Sequence, residues 1–238
     1  MSETYQFGLP LVAAAQAQKH VTVNEALARL DAVAQMRVQS DDATVPPGAP
    51  MDGEAYIVGM GATGDWLGQD DGVAIFSNGG WVFLMPKPGW RAWNEALGAE
   101  VVFDGSDWVR NAGLVSTGGA ATVHKIVELD HTLVAAGVSV TGNIIPSHAQ
   151  VIGVTARVIT PITGGSVAAW SLGVSGAPDR YGNSLGIALN SYAKGLGGSP
   201  LTYWADTPLE ITADAGSFTG GVVRLAVHFA ELVVPRAV

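Results

Sequence analysis

The spacing of apolar residues shifts along this chain from helical to alternating. Over 22–34, Leu27, Leu30 and Val33 or Ala34 recur at helical intervals with Arg29 and Asp31 between them. That predicts one short amphipathic helix with a single packing face. Thr22-Val23-Asn24-Glu25 fits a capping box at its start, the threonine accepting from the amide three residues on while the glutamate reaches back. The preceding Leu9–His20 is rich in alanine and glutamine, which suits either a helical turn or an extended arm lying along a β region or another subunit.

Residues 41–53 hold Asp41, Asp42, Pro46, Pro47, Gly48 and Pro50 and read as a turn-rich crossing. Short apolar runs follow at 54–58, 72–76, 81–85, 100–103 and 108–110, each bounded by glycine, asparagine or aspartate. VAIFSNGGWVF and VVFDGSDWV form a weak internal repeat: a β-branched and aromatic run, a polar turn, then Trp81 or Trp108. Both predict hairpins, and together a small antiparallel sheet or barrel. NAGLVSTGGAA, residues 111–121, is small and flexible in composition and reads as a linker.

Beyond it, strand-like runs occupy 122–129, 131–134, 151–160, 168–174, 184–189, 201–204, 209–213 and 221–233. In the last, Val223, Leu225, Val227 and Phe229 alternate with Arg224, Ala226, His228 and Ala230, which predicts a central strand ending near Pro235. The predicted fold is therefore mainly β. A small helix and a tryptophan-rich, short-stranded β domain (1–110) lead through the linker (111–121) to a jelly-roll-like antiparallel β sandwich (122–238).

Composition sharpens this division. Of 238 residues, 48% are hydrophobic and 14% charged, enough apolar area for a packed core. Residues 1–119 carry fourteen acidic and six basic side chains, residues 120–238 seven and six, so the two halves present different surfaces. Sparse charge in the second half points to oligomerisation. A net charge of −9 without a basic run argues against nucleic acid as a direct partner. With no cysteine, disulfides and cysteine-based zinc sites are excluded. The N-terminal MSETYQFGLP lacks the basic and apolar regions of a signal peptide, and no charge-free segment is long enough to insert in a membrane. Export would then follow release inside an assembled particle.

Catalytic chemistry is thin. His20, His124, His131, His148 and His228 lie in no metal motif, and on a strand His131 points away from Glu128 and Asp130. Asp65, Asp70 and Asp71 lack the calcium-loop pattern and read as solvated loop acids. The glycines of TGNIIPS, ITGGSVA and TGGVVR read as β turns, and Ser175 has no nucleophile elbow, since Pro178 blocks the helix that should follow. A pair of carboxylates suited to glycoside cleavage cannot be singled out in an acidic chain. No metal, cofactor or catalytic residue is expected.

Aromatic side chains offer the alternative, because a ring covers the apolar face of a sugar while neighbouring polar groups bind its hydroxyls. Trp66, Trp81, Trp90, Trp93 and Trp108 crowd one stretch. The equivalent positions of Trp81 and Trp108 after hairpin turns suit a core. Trp66, in a loop, and Trp90 and Trp93, flanking Arg91, are the better exposed candidates for ligand or interface contact. In the second half Asp179, Arg180, Tyr181 and Asn183 form a polar loop between strands, with Tyr192, Lys194, Tyr203, Trp204 and Asp206 expected nearby as a ligand-binding group.

The stretch LPLVAAAQAQKHVTVNEALARLDA, with PPGAPMDGEAYIVGMGATGDWLGQDDGVAIFSNGGWVFLMPKPGWRAWNEALGAEVVFDGSDWV, closely resembles a family of phage-derived proteins common in alphaproteobacterial prophages, over roughly residues 8–110. WSLGVSGAPDRYGNSLGIAL and TPLEITADAGSFTGGVVRLAVHFAEL resemble the sandwich that follows this domain in gene transfer agent head-spike or fibre proteins. Those agents are domesticated phage-like particles, and their head spikes attach to the capsular polysaccharide of recipient cells. The resemblance implies a non-catalytic spike or fibre component on the outside of such a particle, made in the cytoplasm and released with it. It also implies partners among spike, capsid or tail proteins, and a homo-oligomer such as a trimer. It supplies no ligand map, so the residues named above rest on chemistry alone. A structural adaptor joining a receptor-binding fibre to capsid or tail is the second reading, and a polysaccharide-degrading spike the third.

Overall fold

Polar turns set the strand pairing of the first half. In the computed structural model, which describes residues 3–12 and 19–237, that half carries α1 (Lys19–Val33) and eight short strands. These are β1 (Arg37–Val38), β2 (Ala55–Ile57), β3 (Val73–Ser77), β4 (Gly80–Leu84), β5 (Arg91–Asn94), β6 (Ala99–Phe103), β7 (Trp108–Arg110) and β8 (Ala112–Val115). Asn78 and Gly79 both adopt positive φ, the two-residue turn that matches strand twist and that only such residues enter cheaply. It joins β3 to β4 and places Phe76 opposite Trp81, ring centroids 5.0 Å apart. In the second hairpin the Asp104 carboxylate accepts from the amides of Ser106 and Asp107, and Phe103 faces Trp108 at 5.3 Å. The internal repeat is thus a repeated cross-strand aromatic pair.

Two sheets result, in the orders β2-β3-β4 and β1-β5-β6-β7. The β3 run Val73, Ala74, Ile75 is buried on both faces. Val73 and Ile75 pack with Met36, Val38 and Val101, while Ala74 packs with Val58, Trp66 and Trp81.

The helix differs from its predicted form. It begins at Lys19, so Thr22 lies inside it and the capping box does not start it. Leu30, predicted to pack, is 54% exposed, whereas Asp31 is 2% exposed. The reason is the arm 3–12. Thr4 Oγ1 and the Phe7 amide donate to Asp31 Oδ1 at 2.8 and 2.7 Å, and the Gln6 amide donates to Oδ2 at 2.6 Å. Gln6 Nε2 also donates to the carbonyls of Asp31 and Ala34, covering orphan acceptors at the end of the helix. Of the alanine- and glutamine-rich stretch, 13–18 and the side chains of 19–22 lie outside the described residues.

The chain divides into two units, Met1–Ala121 with Val233–Val238, and Thr122–Leu232. Within the stretch read as a linker, Ala112–Val115 form β8, and Ala112 and Ala121 are buried.

The second unit is built from β9 (Ala121–Thr132), β10 (Val138–Ile145), β11 (Gln150–Thr163), β12 (Trp170–Val174), β13 (Ala177–Leu185), β14 (Tyr192–Thr202), β15 (Thr207–Ala213) and β16 (Gly220–Val233). One sheet runs β14-β11-β16-β9 and the other β10-β15-β12-β13. This is the eight-strand order of a jelly roll. Between the sheets lie Trp170, Leu172, Leu209, Ile211, Phe218, Leu225 and Phe229. Val223, Leu225, Val227 and Phe229 face this core from β16, which is central, as its alternation predicts. TGNIIPS falls within and just beyond β10, and TGGVVR opens β16, so neither is simply a turn.

Candidate functional site

The sequence-predicted ligand group is divided between two edge strands, β13 and β14, and the turn that follows β14. β14 is hydrogen-bonded to β11 alone in its sheet, and Tyr192, Lys194 and Leu196 point outward while Ala193 and Gly195 are buried. Leu196 pairs with Gly153 and Leu201 with Val151, so Gly197-Gly198-Ser199-Pro200 bulge out opposite the single residue Ile152. After β14 the chain turns through Tyr203, Trp204 and Asp206.

At that turn Trp204 is 75% exposed. Its ring stands edge-on to His148, centroids 5.6 Å apart and planes at 89°. His148 adopts a positive φ and its amide donates to the Tyr203 carbonyl, while Asp206 Oδ1 accepts from the Ser147 amide at 2.8 Å. Two loops are thereby tied together beneath an exposed indole. His148 and Ser147 escaped the sequence reading, because nothing local links 147–148 to 203–206.

Tyr192 is 59% exposed on the outer face of the sheet. The Arg157 guanidinium lies 5.7 Å and the Lys194 ammonium 5.9 Å from its ring centroid. Register explains this: Arg157 pairs with Tyr192, and Thr155 with Lys194. On the same face Thr155 Oγ1 shares a hydrogen bond of 3.0 Å with His228 Nε2, which places His228 outward as its alternation predicts. Nothing local in the sequence marks Arg157, since register across β11 and β14 is invisible in either strand alone.

Asp179–Asn183 is not a loop. These residues lie in β13, an edge strand, where Asp179, Arg180 and Asn183 are exposed and Tyr181 is buried. The Tyr181 and Tyr203 hydroxyls meet at 2.7 Å inside the sandwich. Burial, and then that hydrogen bond, push the Tyr181 phenol well above its ordinary pKa. Neither ring can therefore stack on a sugar, which corrects the reading of both as ligand contacts. Arg180, Tyr181, Val151 and the bulge 197–199 line a concavity of about 300 Å³. Asn183 Oδ1 instead accepts from Ser171 and Ser184.

In the first unit Trp66 is fully buried, tucked by the short 3-10 turn Gly64–Trp66 against Tyr56 and Trp81 at 5.5 and 5.0 Å. Its predicted exposure fails because a tight turn folds the ring back over the sheet. Trp90 is half-buried against the core, and Trp81 and Trp108 are half-buried too. Trp93 is 50% exposed and shares the outer face of β5 with Arg91, which bridges to Glu100 at 2.7 Å. A cavity of about 480 Å³ in this unit, bordered by Tyr5, Leu11, Arg29 and Val82, involves none of the predicted site residues.

Asp70 Oδ1 accepts from the Ala62 amide, a loop-bracing role. Burial, then the charges of Asp107 and Asp70, raise the pKa of Asp71. Glu128 and Asp130 share the outer face of β9 and turn to Arg224, while His131 points away and bonds Ser139 at 2.8 Å. Among the described residues no group of three or more His, Asp or Glu is arranged to hold a metal ion, and no helix is long and apolar enough to cross a membrane.

Residues 23–109, which lie in the first unit, match a family described as a protein of unknown function, DUF2793. No curated protein matches the chain. Among solved structures, a chain of the cyanophage Pam1 capsid asymmetric unit is similar at 20% identity, covering 46% of this chain and 86% of that one, with a TM-score of 0.36. A likeness that distant assigns neither a shared fold nor a shared role.

Proposed function

We propose that this chain is a non-catalytic component of a spike or fibre on a phage-like particle, and that its jelly roll attaches the particle to capsular or other cell-surface polysaccharide. The observation that carries the reading is Trp204. A three-quarters exposed indole on a braced turn, beside His148, Ser147 and Asp206, offers a sugar both a flat apolar face and hydroxyl partners. Tyr192, on the same strand run, offers a second ring. The sequence resemblance to head-spike proteins supports the same role. Jelly rolls also serve as lectin and capsid modules, a fold-level analogy that leaves the function to the site. Repeated copies on one particle would raise a modest single-site affinity, which is why an oligomer, such as a trimer, suits the role.

The first unit favours a second, complementary role as the anchor. Phe7, Val12, Val23 and Leu30 are all exposed on the arm and on α1, apolar side chains suited to a spike, capsid or tail partner or to another copy.

The test is retention of purified full-length protein on capsule-bearing cells and on isolated capsule. Trp204→Ala is expected to weaken binding about tenfold, the scale of one lost aromatic contact, with an unchanged melting temperature. Unaltered retention in both Trp204→Ala and Tyr192→Ala, or retention only when another spike subunit is supplied, overturns direct attachment. New short oligosaccharides after incubation overturn the non-catalytic assignment.

A further inference from the structure

Basic side chains in this acidic protein are mostly neutralised. Arg29, Arg37, Arg91, Arg110, Lys125, Arg224 and Arg236 each have a carboxylate within 4 Å. In the second unit Arg157, Lys194 and Arg180 have none among the described residues, and all three lie on or beside β14. Arg157 and Lys194 converge on one ring. Arg180 lines the concavity formed by the bulge of the same strand.

We infer that the outer face around Tyr192 selects acidic sugar residues, so that the polysaccharide taken by this surface is anionic. This rests on the attachment reading above and adds the charge class of the ligand. Tyr192 holds two like charges within 6 Å of its centroid, neither with a carboxylate within 4 Å among the described residues, an arrangement that an anion lying between them relieves. The Arg157 guanidinium is oriented by its Nη1 donating to the Asn190 carbonyl at 3.3 Å, which leaves other donors of the fork for a carboxylate. The neighbouring Arg224, paired with Arg157 across β11 and β16, does not compete, because Asp130 holds it through two hydrogen bonds of 2.6 and 2.8 Å. The ring supplies the platform for the sugar's C–H face. A nucleic acid is the less favoured anion, since the protein's net charge of −9 opposes a long phosphate chain.

The experiment compares retention of the full-length chain on immobilised polygalacturonate, dextran, oligodeoxythymidine and isolated capsule, with Arg157→Gln/Lys194→Gln and Trp204→Ala as variants. Both cations are exposed, so the double variant is expected to keep the wild-type melting temperature. Polygalacturonate should be preferred to dextran and weakened by salt between 50 and 500 mM, as exposed charges are screened (on the order of these concentrations). The double variant should lose about tenfold or more of that affinity. Equal affinity of the double variant, preference for dextran, or equal capture of oligodeoxythymidine overturns the inference. If capsule retention nonetheless depends on Trp204, the attachment reading survives that failure. If the chain binds none of the polysaccharides, both fall.

Discussion

Replacing Asp31 tests how the N-terminal arm is held. This carboxylate is buried on α1 and accepts three hydrogen bonds from the arm, from Thr4 Oγ1 and from the amides of Gln6 and Phe7, while Gln6 Nε2 and Val12 tie the arm to the helix and its end at more exposed positions. Bonds to an ionised acceptor contribute about 1.5 kcal/mol or more each, and part of that total offsets the cost of desolvating the carboxylate. A net of about 3 kcal/mol for arm docking follows for Asp31→Ala. Because 3–12 can leave the helix and regain water, the loss should appear as local opening and not as global unfolding. Hydrogen exchange at the amides of Gln6 and Phe7 should accelerate by roughly a hundredfold, while core amides of β11 and β16 keep their protection.

Asp31→Asn separates charge and geometry. It preserves the shape, but turns one acceptor oxygen into a donor that faces an N–H or O–H, so about half the effect is expected. Unchanged exchange at Gln6 and Phe7 in Asp31→Ala would refute the argument. Equal acceleration in the arm and in the jelly roll would refute it too, by making Asp31 a global keystone and not a clasp.

Two further tests bear on the jelly roll. A Cβ at Gly195 would lie 2.2 Å from the Tyr181 carbonyl oxygen and 2.7 Å from its Cα, so Gly195→Ala should cost about 3 kcal/mol in urea unfolding, whereas Gly198→Ala, with open space around it, should be near neutral. His131 is depressed below its ordinary value near 6.5 by burial, so the unfolded chain takes up the proton first. Its contribution to stability is complete above about pH 6.5 and is lost as pH falls through the lower folded value, so His131→Gln should flatten the decline of the urea midpoint between about pH 7 and 5.

What was legible in the sequence follows from how local each determinant is. β16 could be read because four inward side chains, Val223, Leu225, Val227 and Phe229, recur at every second position in a strand paired on both sides. The hairpins at 78–79 and 104–107 could be read because the turn chemistry sits in the turn. β14 could not. Its glycines look like turn residues, yet Gly195 is there because the Tyr181 backbone passes too close for any side chain, a constraint set by a strand ten or more residues away. β13 reads as a loop in the sequence for a related reason: an edge strand with one solvated face can carry Asp179, Arg180 and Asn183 and still pair with β12. The helix face failed because Asp31 finds its donors in 4–7, a partner that helical periodicity cannot see.

The candidate site divides along the same line. Residue type marked Tyr181, Tyr192, Tyr203 and Trp204 alike, but only burial separates rings that build the sandwich from rings free to meet a ligand. Adjacent residues of an extended segment point to opposite sides. That rule places Tyr192 outside, since Ala193 is the inward residue of that pair. Trp204 lies beyond β14, where Tyr203 is committed to the core by its hydroxyl contact with Tyr181 and the bend that follows carries the indole outward. The cations escaped because they come to the ring through register, Arg157 from β11 and Lys194 from two positions along β14. Strand alternation therefore decides that the Tyr192 ring is displayed, and strand pairing decides what charge stands next to it.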